Sequence, residues 1–276
     1  MTASGRHLAL AASVLAVAQA TTFAAAAAAA PPPEQPAVSA PPSTGTTPPT
    51  QPAPGPPAAS PEVSAVVLSD ERTSTTWAHP VEEVSIRENP VPVSRRIGRT
   101  RLETEDGFPE VYLVLASVTD ARGRVWARVR IPGRPNGRIG WVPRSALGEF
   151  HVSRWLLEIS LGRHRLKAYY MGKLRFTAPV GVGKPSTPTP TGRFWIRERF
   201  RLSSRSNPYW PYALGTSAYS RLTEWPGGGV VGIHGDLGEP RLIPGNPSHG
   251  CVRMRGADIA WLAPRVQIGT PVHIVR

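Results

Sequence analysis

The chain has 276 residues, of which 26 are glycine, 32 are proline and one is cysteine, and its formal charge at pH 7 is +13. The glycine and proline content excludes a helical bundle, and a single cysteine excludes an internal disulfide. The charge is uneven, because residues 150–276 contain 18 Lys and Arg but only 6 acidic residues. We therefore expect the C-terminal half of the chain to attract polyanions.

Residues 1–30 have the layout of a secretory signal peptide. Arg6 and His7 precede an apolar run, and small residues follow that run. The segment therefore predicts an exported protein of the cell wall or the periplasmic space. The alternative is an uncleaved membrane anchor, since residues 8–30 are nearly long enough to span a bilayer. Export makes an anionic wall polymer the expected polyanion and argues against nucleic acid.

Residues 31–62 are predicted to be a proline-rich linker. Residues 31–60 hold 12 prolines, and alanine, serine, threonine and glycine make up most of the rest. This composition cannot form a packed core and favours an extended, semi-rigid spacer. Two segments of ordinary domain length, 63–149 and 150–276, follow the linker.

Residues 63–149 are predicted to form a small β domain. Residues 111–115 are continuously apolar, as in a buried strand, and residues 124–130 alternate between polar and apolar, as in a half-buried strand. A turn at 132–137 leads to a further strand at 139–142. The sequence WARVRIPGRPNGRIGWVPRSAL resembles the last strands of bacterial Src-homology-3-like barrels, and this resemblance implies a small β-barrel.

Residues 150–276 are predicted to be mainly β with one short helix. The strand candidates are residues 155–160, 165–171, 174–182, 193–200, 230–233 and 270–275. Residues 257–263 form the one helix candidate, which Pro264 ends. The expected fold class of the chain is therefore mainly β.

The only cysteine, Cys251, lies in a stretch that also contains His234 and His249. A thiolate is the reactive form of cysteine, and a nearby imidazole can accept the thiol proton. His249 is only two residues away, so it shares a face with the thiol but is poorly placed to align with the sulfur. His234 ends a separate predicted strand and can approach from across the site. We therefore expect His234 to be the base.

Three neighbouring groups complete this candidate cysteine site. The carbonyl of Gly235 could hold the second ring nitrogen of His234 and fix its tautomer. Gly250 allows the backbone to come close to a substrate, and the amides of Gly250 and Cys251 could stabilise a developing oxyanion.

The arrangement HG…SHGCVRM is similar to the signature of L,D-transpeptidases of the YkuD type, and PVGVGKPSTPTPTGRFWI (179–196) and ALGTS (213–217) resemble upstream segments of that family. The resemblance covers residues 150–276. It implies a β-sandwich catalytic domain with cysteine and histidine in a groove under a mobile lid. No metal and no organic cofactor is implied.

The resemblance also implies a reaction on peptidoglycan stem peptides. The cysteine attacks the carbonyl at the L-centre of the third stem residue, terminal D-alanine leaves, and the amine of another stem takes the acyl group to give a 3→3 cross-link. Cys251 would be the nucleophile, His234 the general base and the Gly235 carbonyl its orienting group.

The remaining site residues are assigned by the same resemblance. His249 and Gly250 would shape the pocket and the oxyanion site, and Ser248 would support the loop by hydrogen bonding. The Arg253 guanidinium would bind a substrate carboxylate. Tyr219 is the candidate lid tyrosine near the oxyanion, and Tyr212 is the second choice.

Three alternative functions remain open from the sequence. Water as the acyl acceptor would make the protein an L,D-carboxypeptidase. His234, His249 and Cys251 could instead supply three ligands of a zinc hydrolase with an open fourth position. The protein could also bind the wall without catalysis, in which case the thiol is an inert small hydrophobe.

Overall fold

The computed structural model describes residues 65–224 and 226–276. The predicted signal peptide (1–30) and proline-rich linker (31–62) lie outside the described residues. The described residues belong to one compact unit. In the part of the chain that is described, no helix is both long enough and apolar enough to cross a membrane.

The first sheet is built from the N-terminal part of this unit. Its strands are β1 (Val66–Val67), β2 (Thr75–Ala78), β3 (Ser85–Arg87), β4 (Arg96–Arg99), β5 (Tyr112–Thr119), β6 (Val125–Arg130), β7 (Ile139–Pro143) and β8 (His151–Ser153). They pair in the order β4-β3-β7-β6-β5-β2-β8, with β1 also on β5. The predicted strands at 111–115, 124–130 and 139–142 correspond to β5, β6 and β7. The pairing is an open path that ends at β4 and β8, so a closed Src-homology-3-like barrel is not confirmed.

The second sheet carries the histidine and cysteine segments. Its strands are β9 (Trp155–Ser160), β10 (Arg165–Tyr170), β11 (Lys173–Pro179), β12 (Gly181–Gly183), β13 (Gly192–Arg201), β14 (Tyr212–Tyr219), β15 (Val230–His234), β16 (Gly245–Ser248), β17 (Val252–Arg253) and β18 (Pro271–Val275). They pair in the order β11-β10-β9-β18-β13-β14-β15-β17-β12-β16. The helix α1 (Gly256–Leu262) follows β17, and 3₁₀ turns lie at Arg144–Ala146, Pro226–Gly229 and Pro240–Leu242. A mainly β fold with one short helix after the thiol is confirmed.

The main apolar core lies against the second sheet and fixes the strands that carry the site. Ile233 on β15 and Val252 on β17 are fully or almost fully buried and pair directly in parallel register. Ile259 and Leu262 of α1 enter the same core. Burying each of these side chains contributes about 1.5–3 kcal/mol. The backbone on both sides of the candidate site is therefore held by packing.

A buried ion pair joins the two sheets. Arg197 on β13 is 1% exposed and Glu110, just before β5, is fully buried. The guanidinium donates from Nε and Nη2 to the two carboxylate oxygens, at 2.7 and 2.6 Å. Beside them, Trp195 Nε1 donates to the carbonyl of Val111 at 2.8 Å. Both charges are thus removed from water and depend on each other.

We expect Arg197→Met to lower the free energy of unfolding by about 3–5 kcal/mol, because it removes the bidentate partner of the buried Glu110 carboxylate and leaves only the exposed Arg101 paired with it. Arg201→Met is the matched control, since Arg201 is an exposed arginine on the same strand, and should change stability by no more than about 0.5 kcal/mol. Urea unfolding followed by tryptophan fluorescence measures both. Equal losses in the two variants would contradict the role given to this ion pair.

Candidate active site

Parallel pairing of β15 and β17 brings His234 and Cys251 to one edge of the second sheet. His234 is the last residue of β15, and Cys251 immediately precedes Val252, which pairs with Ile233. The Gly232 amide donates to the Cys251 sulfur at 3.4 Å. The thiol is therefore held against the strand that carries the histidine, although the two residues are seventeen positions apart in the sequence.

The loop before Cys251 is fixed by Ser248 and Thr189. The Ser248 hydroxyl donates to the Cys251 carbonyl at 2.6 Å and accepts from the Gly250 amide at 3.1 Å. The Thr189 hydroxyl donates to the Gly250 carbonyl at 2.8 Å. Ser248 thus makes loop hydrogen bonds of the kind that was expected. The Gly250 amide, however, has a partner other than an oxyanion, which leaves the Cys251 amide as the remaining candidate donor of the expected pair.

Glycine is required at position 250 by its backbone. Its φ is +128°, a conformation that L side chains rarely adopt, and an added Cβ would lie 3.1 Å from the Ser220 Cβ. The turn that presents the thiol therefore depends on this glycine.

The His234 ring is buried and held in one orientation. Its Nδ1 lies 2.8 Å from the Gly235 carbonyl oxygen, which can only accept, so the neutral ring carries its proton on Nδ1 and its lone pair on Nε2. Burial lowers the pKa of His234 to about 4, with a further decrease from the Arg253 charge and an opposing increase from the Gly235 hydrogen bond. The imidazole is therefore neutral at physiological pH.

The close approach of two backbone segments explains why glycine follows the histidine. A Cβ at Gly235 would lie 1.7 Å from the Trp210 carbonyl oxygen. The same approach places the Tyr209 ring edge-on against the His234 ring, with the ring centroids 4.5 Å apart and an angle of 61° between the ring planes. Tyr209 therefore helps to hold the imidazole.

Cys251 is protonated at neutral pH in this structure. Burial raises the pKa of the thiol, while the Gly232 hydrogen bond and the positive charge of Arg253 oppose that increase. The site therefore contains a neutral thiol and a neutral imidazole, and no thiolate–imidazolium pair is formed in advance.

A small cavity of about 60 Å³ brings the site residues together. The lining residues are Tyr209, Ser220, Val230, Val231, His234, Leu237, Ser248, His249, Cys251 and Arg253. The expected nucleophile, base, second histidine and arginine therefore share one cavity. Among the described residues, no group of three or more His, Cys, Asp or Glu side chains is arranged to hold a metal ion.

Arg253 is almost entirely buried beside the thiol. Its Nη1 donates to the Glu239 carboxylate at 2.9 Å. Its Nε is buried and has no hydrogen-bond partner within residues 65–224 and 226–276. The guanidinium is therefore only partly satisfied and retains donor capacity.

Tyr219 does not line this cavity, in contrast to the expectation for a lid tyrosine. Its hydroxyl donates to Glu105 and accepts from Arg197 Nη1 at 3.1 Å, so it points to the junction with the first sheet. Tyr212 is likewise absent from the lining. The tyrosine that lines the cavity is Tyr209. No local sequence signal indicated it, because its position depends on the close contact between the backbones of Trp210 and Gly235.

Sequence comparison relates part of the chain to L,D-transpeptidases. Residues 154–274 match the family model of the YkuD L,D-transpeptidase catalytic domain. The chain is 34% identical over 120 residues to a putative L,D-transpeptidase YkuD of Bacillus subtilis, covering 44% of this chain and 65% of the relative. It is 28% identical over 245 residues to L,D-transpeptidase 1 of Mycobacterium tuberculosis, covering 84% of this chain and 90% of the relative. The chain thus matches slightly less than two thirds of the length of the Bacillus relative.

Two solved structures show the extent of structural similarity. An L,D-transpeptidase from M. tuberculosis H37Rv aligns with a TM-score of 0.40 and 16% identity, over 72% of this chain and 98% of that chain. The catalytic domain of the E. faecium L,D-transpeptidase aligns with a TM-score of 0.34 and 24% identity, over 43% of this chain and 95% of that chain. By the family match and the sequence relatives, residues 154–274 are similar to the L,D-transpeptidase catalytic domain of the YkuD family.

Proposed function

We propose that the protein is an exported peptidoglycan L,D-transpeptidase that uses Cys251 as its nucleophile and His234 as its general base. The observation that supports this most directly is the oriented neutral imidazole and the partly buried thiol in one cavity. A base must be unprotonated to act, and the depressed pKa of His234 keeps it so.

The first half-reaction forms a thioester. His234 Nε2 accepts the thiol proton as the sulfur attacks the carbonyl of the third stem residue, and the Gly235 carbonyl stabilises the imidazolium through Nδ1. The Cys251 amide is the proposed donor to the oxyanion. The imidazolium then returns the proton to the amine of the leaving D-alanine.

The second half-reaction regenerates the thiol. The side-chain amine of another stem attacks the thioester, His234 removes the ammonium proton, and the sulfur leaves to be reprotonated. The product is a 3→3 cross-linked dimer. The amine, and not water, is the proposed acyl acceptor.

Arg253 is proposed to bind a carboxylate of the stem peptide. Its buried Nε is without a partner within the described ranges, and an unsatisfied guanidinium donor favours an anionic ligand. His249 and Gly250 are proposed to shape the pocket. Tyr209 is proposed in place of Tyr219 as the tyrosine that contacts the reacting groups.

We expect Arg253→Met to raise KM for a tetrapeptide stem by roughly 10- to 100-fold, since a hydrogen bond to a charged group contributes about 1.5–3 kcal/mol. Glu239→Gln removes the competing carboxylate and should leave KM unchanged or lower it. Initial rates over a range of substrate concentrations give both values. If Arg253→Met leaves KM unchanged, the carboxylate-binding role is wrong.

The test of the proposed function is product analysis. The protein is incubated with a defined disaccharide tetrapeptide, and the products are identified by liquid chromatography and mass spectrometry. Release of D-alanine with 3→3 dimers supports transpeptidation, whereas tripeptide without dimers indicates the L,D-carboxypeptidase. Inactivation by a chelator but not by a thiol alkylator would favour the zinc hydrolase. Binding to wall without any product would favour the non-catalytic wall protein.

The remaining features of the chain are proposed to place this chemistry at the wall. The signal-like residues 1–30 would export the protein, with membrane attachment only if they remain uncleaved, and residues 31–62 would act as the spacer. The Src-homology-3-like segment (63–149) and the catalytic segment (150–276) would act as two domains. The basic C-terminal half would bind anionic wall polymers and not nucleic acid.

A further inference from the structure

One wall of the candidate cavity is the segment that connects β14 to β15. Ser220 and Val230, near its two ends, line the cavity with Cys251. The Ser220 amide donates to the Gly229 carbonyl at 2.9 Å, which closes the segment into a loop. Movement of this loop changes the width of the cavity directly.

The first sheet contacts this loop through the turn between β6 and β7. Arg134 Nη2 donates to the carbonyl of Ser220 at 2.8 Å and to that of Gly228 at 2.9 Å. Its Cζ also lies 4.9 Å from the centre of the Tyr219 ring. One guanidinium thus bridges the two ends of the loop.

Asn136 from the same turn pairs with the backbone at the start of the loop. Its Nδ2 donates to the Tyr219 carbonyl at 2.9 Å, and its Oδ1 accepts from the Tyr219 amide at 3.1 Å. A side-chain amide therefore satisfies the two groups that a neighbouring strand would otherwise satisfy. This contact fixes the backbone of Tyr219.

The Tyr219 side chain supplies a third tie to the first sheet. Its hydroxyl bonds to Glu105 and to Arg197, and Arg197 is itself paired with Glu110. The first sheet thus holds the loop through the Ser220 and Gly228 carbonyls, and it holds Tyr219, the last residue of β14, through its backbone and its side chain.

The cavity beside Cys251 is small, so the contacts that hold its wall affect access to the thiol. A volume of about 60 Å³ is far below the roughly 300–1,000 Å³ of pockets that hold small ligands. Cys251 is only partly exposed beside this cavity, so outward movement of a wall would give a stem peptide more room to reach it. The β14–β15 loop is a wall that the first sheet holds in place.

We propose that Arg134 and Asn136 are positioning residues of the first sheet that hold the β14–β15 loop against the active site and so control access to Cys251. The link to turnover rests on the proposed function, but the effect on the loop and on the thiol does not. Releasing the loop widens the cavity and makes the thiol more accessible to large reagents.

The test uses the full chain with Arg134→Ala, Arg134→Lys and Asn136→Ala. Arg122→Ala is the matched control, because Arg122 is an exposed arginine in the turn between β5 and β6. Hydrogen–deuterium exchange is measured for the amides of residues 219–231. We expect roughly fivefold or faster exchange in the two alanine variants and a smaller increase in Arg134→Lys, whose ammonium can still donate.

A second measurement compares the rates at which Cys251 reacts with iodoacetamide and with a bulky maleimide fluorophore. The ratio of bulky to small reagent is expected to rise about fivefold or more in Arg134→Ala and to stay constant in Arg122→Ala. If Arg134→Ala does not fold, Arg134→Lys and Asn136→Ala carry the comparison. Exchange rates and reagent ratios equal to those of Arg122→Ala would overturn the proposal.

The activity assay separates this proposal from the proposed function. In an active protein, release of the loop should change KM more than kcat, because the contacts control entry and not the proton transfer. A wild-type protein without transfer activity would refute the proposed function, while the exchange and alkylation results would still decide the role of Arg134 and Asn136.

Discussion

Cys251→Ser is expected to lower the rate of acyl transfer by at least about 10³-fold. A serine hydroxyl is far less acidic than a thiol, and burial already raises the pKa of the native thiol. The base available to it, His234, has a pKa of only about 4. The imidazole can assist a thiol in attacking a bound carbonyl but is too weak a base to deprotonate a serine hydroxyl. Formation of dimers from a defined tetrapeptide, measured by mass spectrometry, gives the rate.

The single cysteine makes the control for this prediction unambiguous. Treating the wild-type protein with iodoacetamide should add one alkyl group and remove activity, whereas Cys251→Ser should gain no adduct. The variant should retain the melting temperature of the wild type, because the side chains are close in size. Transfer activity in Cys251→Ser above about a tenth of the wild-type rate would assign the nucleophile to another residue.

The neutral thiol and neutral imidazole have a mechanistic consequence. The positive charge of Arg253 favours the thiolate of Cys251 but disfavours the imidazolium of His234, because its contribution to each of the two pKa values is a decrease. Proton transfer from the thiol to the imidazole is unfavourable because burial raises the pKa of Cys251 and lowers that of His234. A substrate carboxylate bound to Arg253 would neutralise that charge and remove its repulsion of the imidazolium. It would also remove the stabilisation of the thiolate, so the two effects of the bound carboxylate on proton transfer oppose each other.

Many strands of the second sheet were predictable because they are long and their residues alternate between polar and apolar. The predicted strand at 230–233 ends beside His234 in β15, and the predicted helix at 257–263 corresponds to α1. The eight-residue strand β14 and the short strands β16 and β17 were not predicted. β17 has only two residues, so its pairing is set by its neighbours in the sheet and not by a local pattern.

The candidate site was predictable where adjacent residues make the contact. The hydrogen bond between His234 and Gly235 joins neighbours, so the glycine after the histidine indicated it. The orientation of Tyr219 was not predictable, because its hydroxyl partner Glu105 lies 114 positions away. Only the packing of the two sheets creates that contact. Tyr209 contacts His234 because the backbones of residues 210 and 235 lie close together, and no sequence motif indicates that contact.

His234→Gln is expected to lower acyl transfer by roughly 10²- to 10⁴-fold, the usual contribution of a positioned general base. Glutamine can still donate a hydrogen bond to the Gly235 carbonyl, but it cannot accept and return a proton. His164→Gln is the matched control, because His164 bonds to Asn246 and lies outside the cavity around Cys251. Full activity in His234→Gln would show that another group is the base.

The same substitution should change how stability depends on pH. Burial lowers the pKa of His234 from 6.5 to about 4, so between these values the unfolded chain binds a proton that the folded chain does not. The free energy of unfolding therefore falls as pH decreases from 6.5 to 4, by about 3 kcal/mol from this residue. His234→Gln lacks this contribution and should lose about 3 kcal/mol less than the wild type over that interval. Other groups with shifted pKa values, such as His273 and Glu105, are present in both proteins and cancel in the comparison. Urea unfolding at pH 7 and at pH 4 measures the difference, and parallel pH profiles for the two proteins would mean that the imidazole is not held neutral in the folded state.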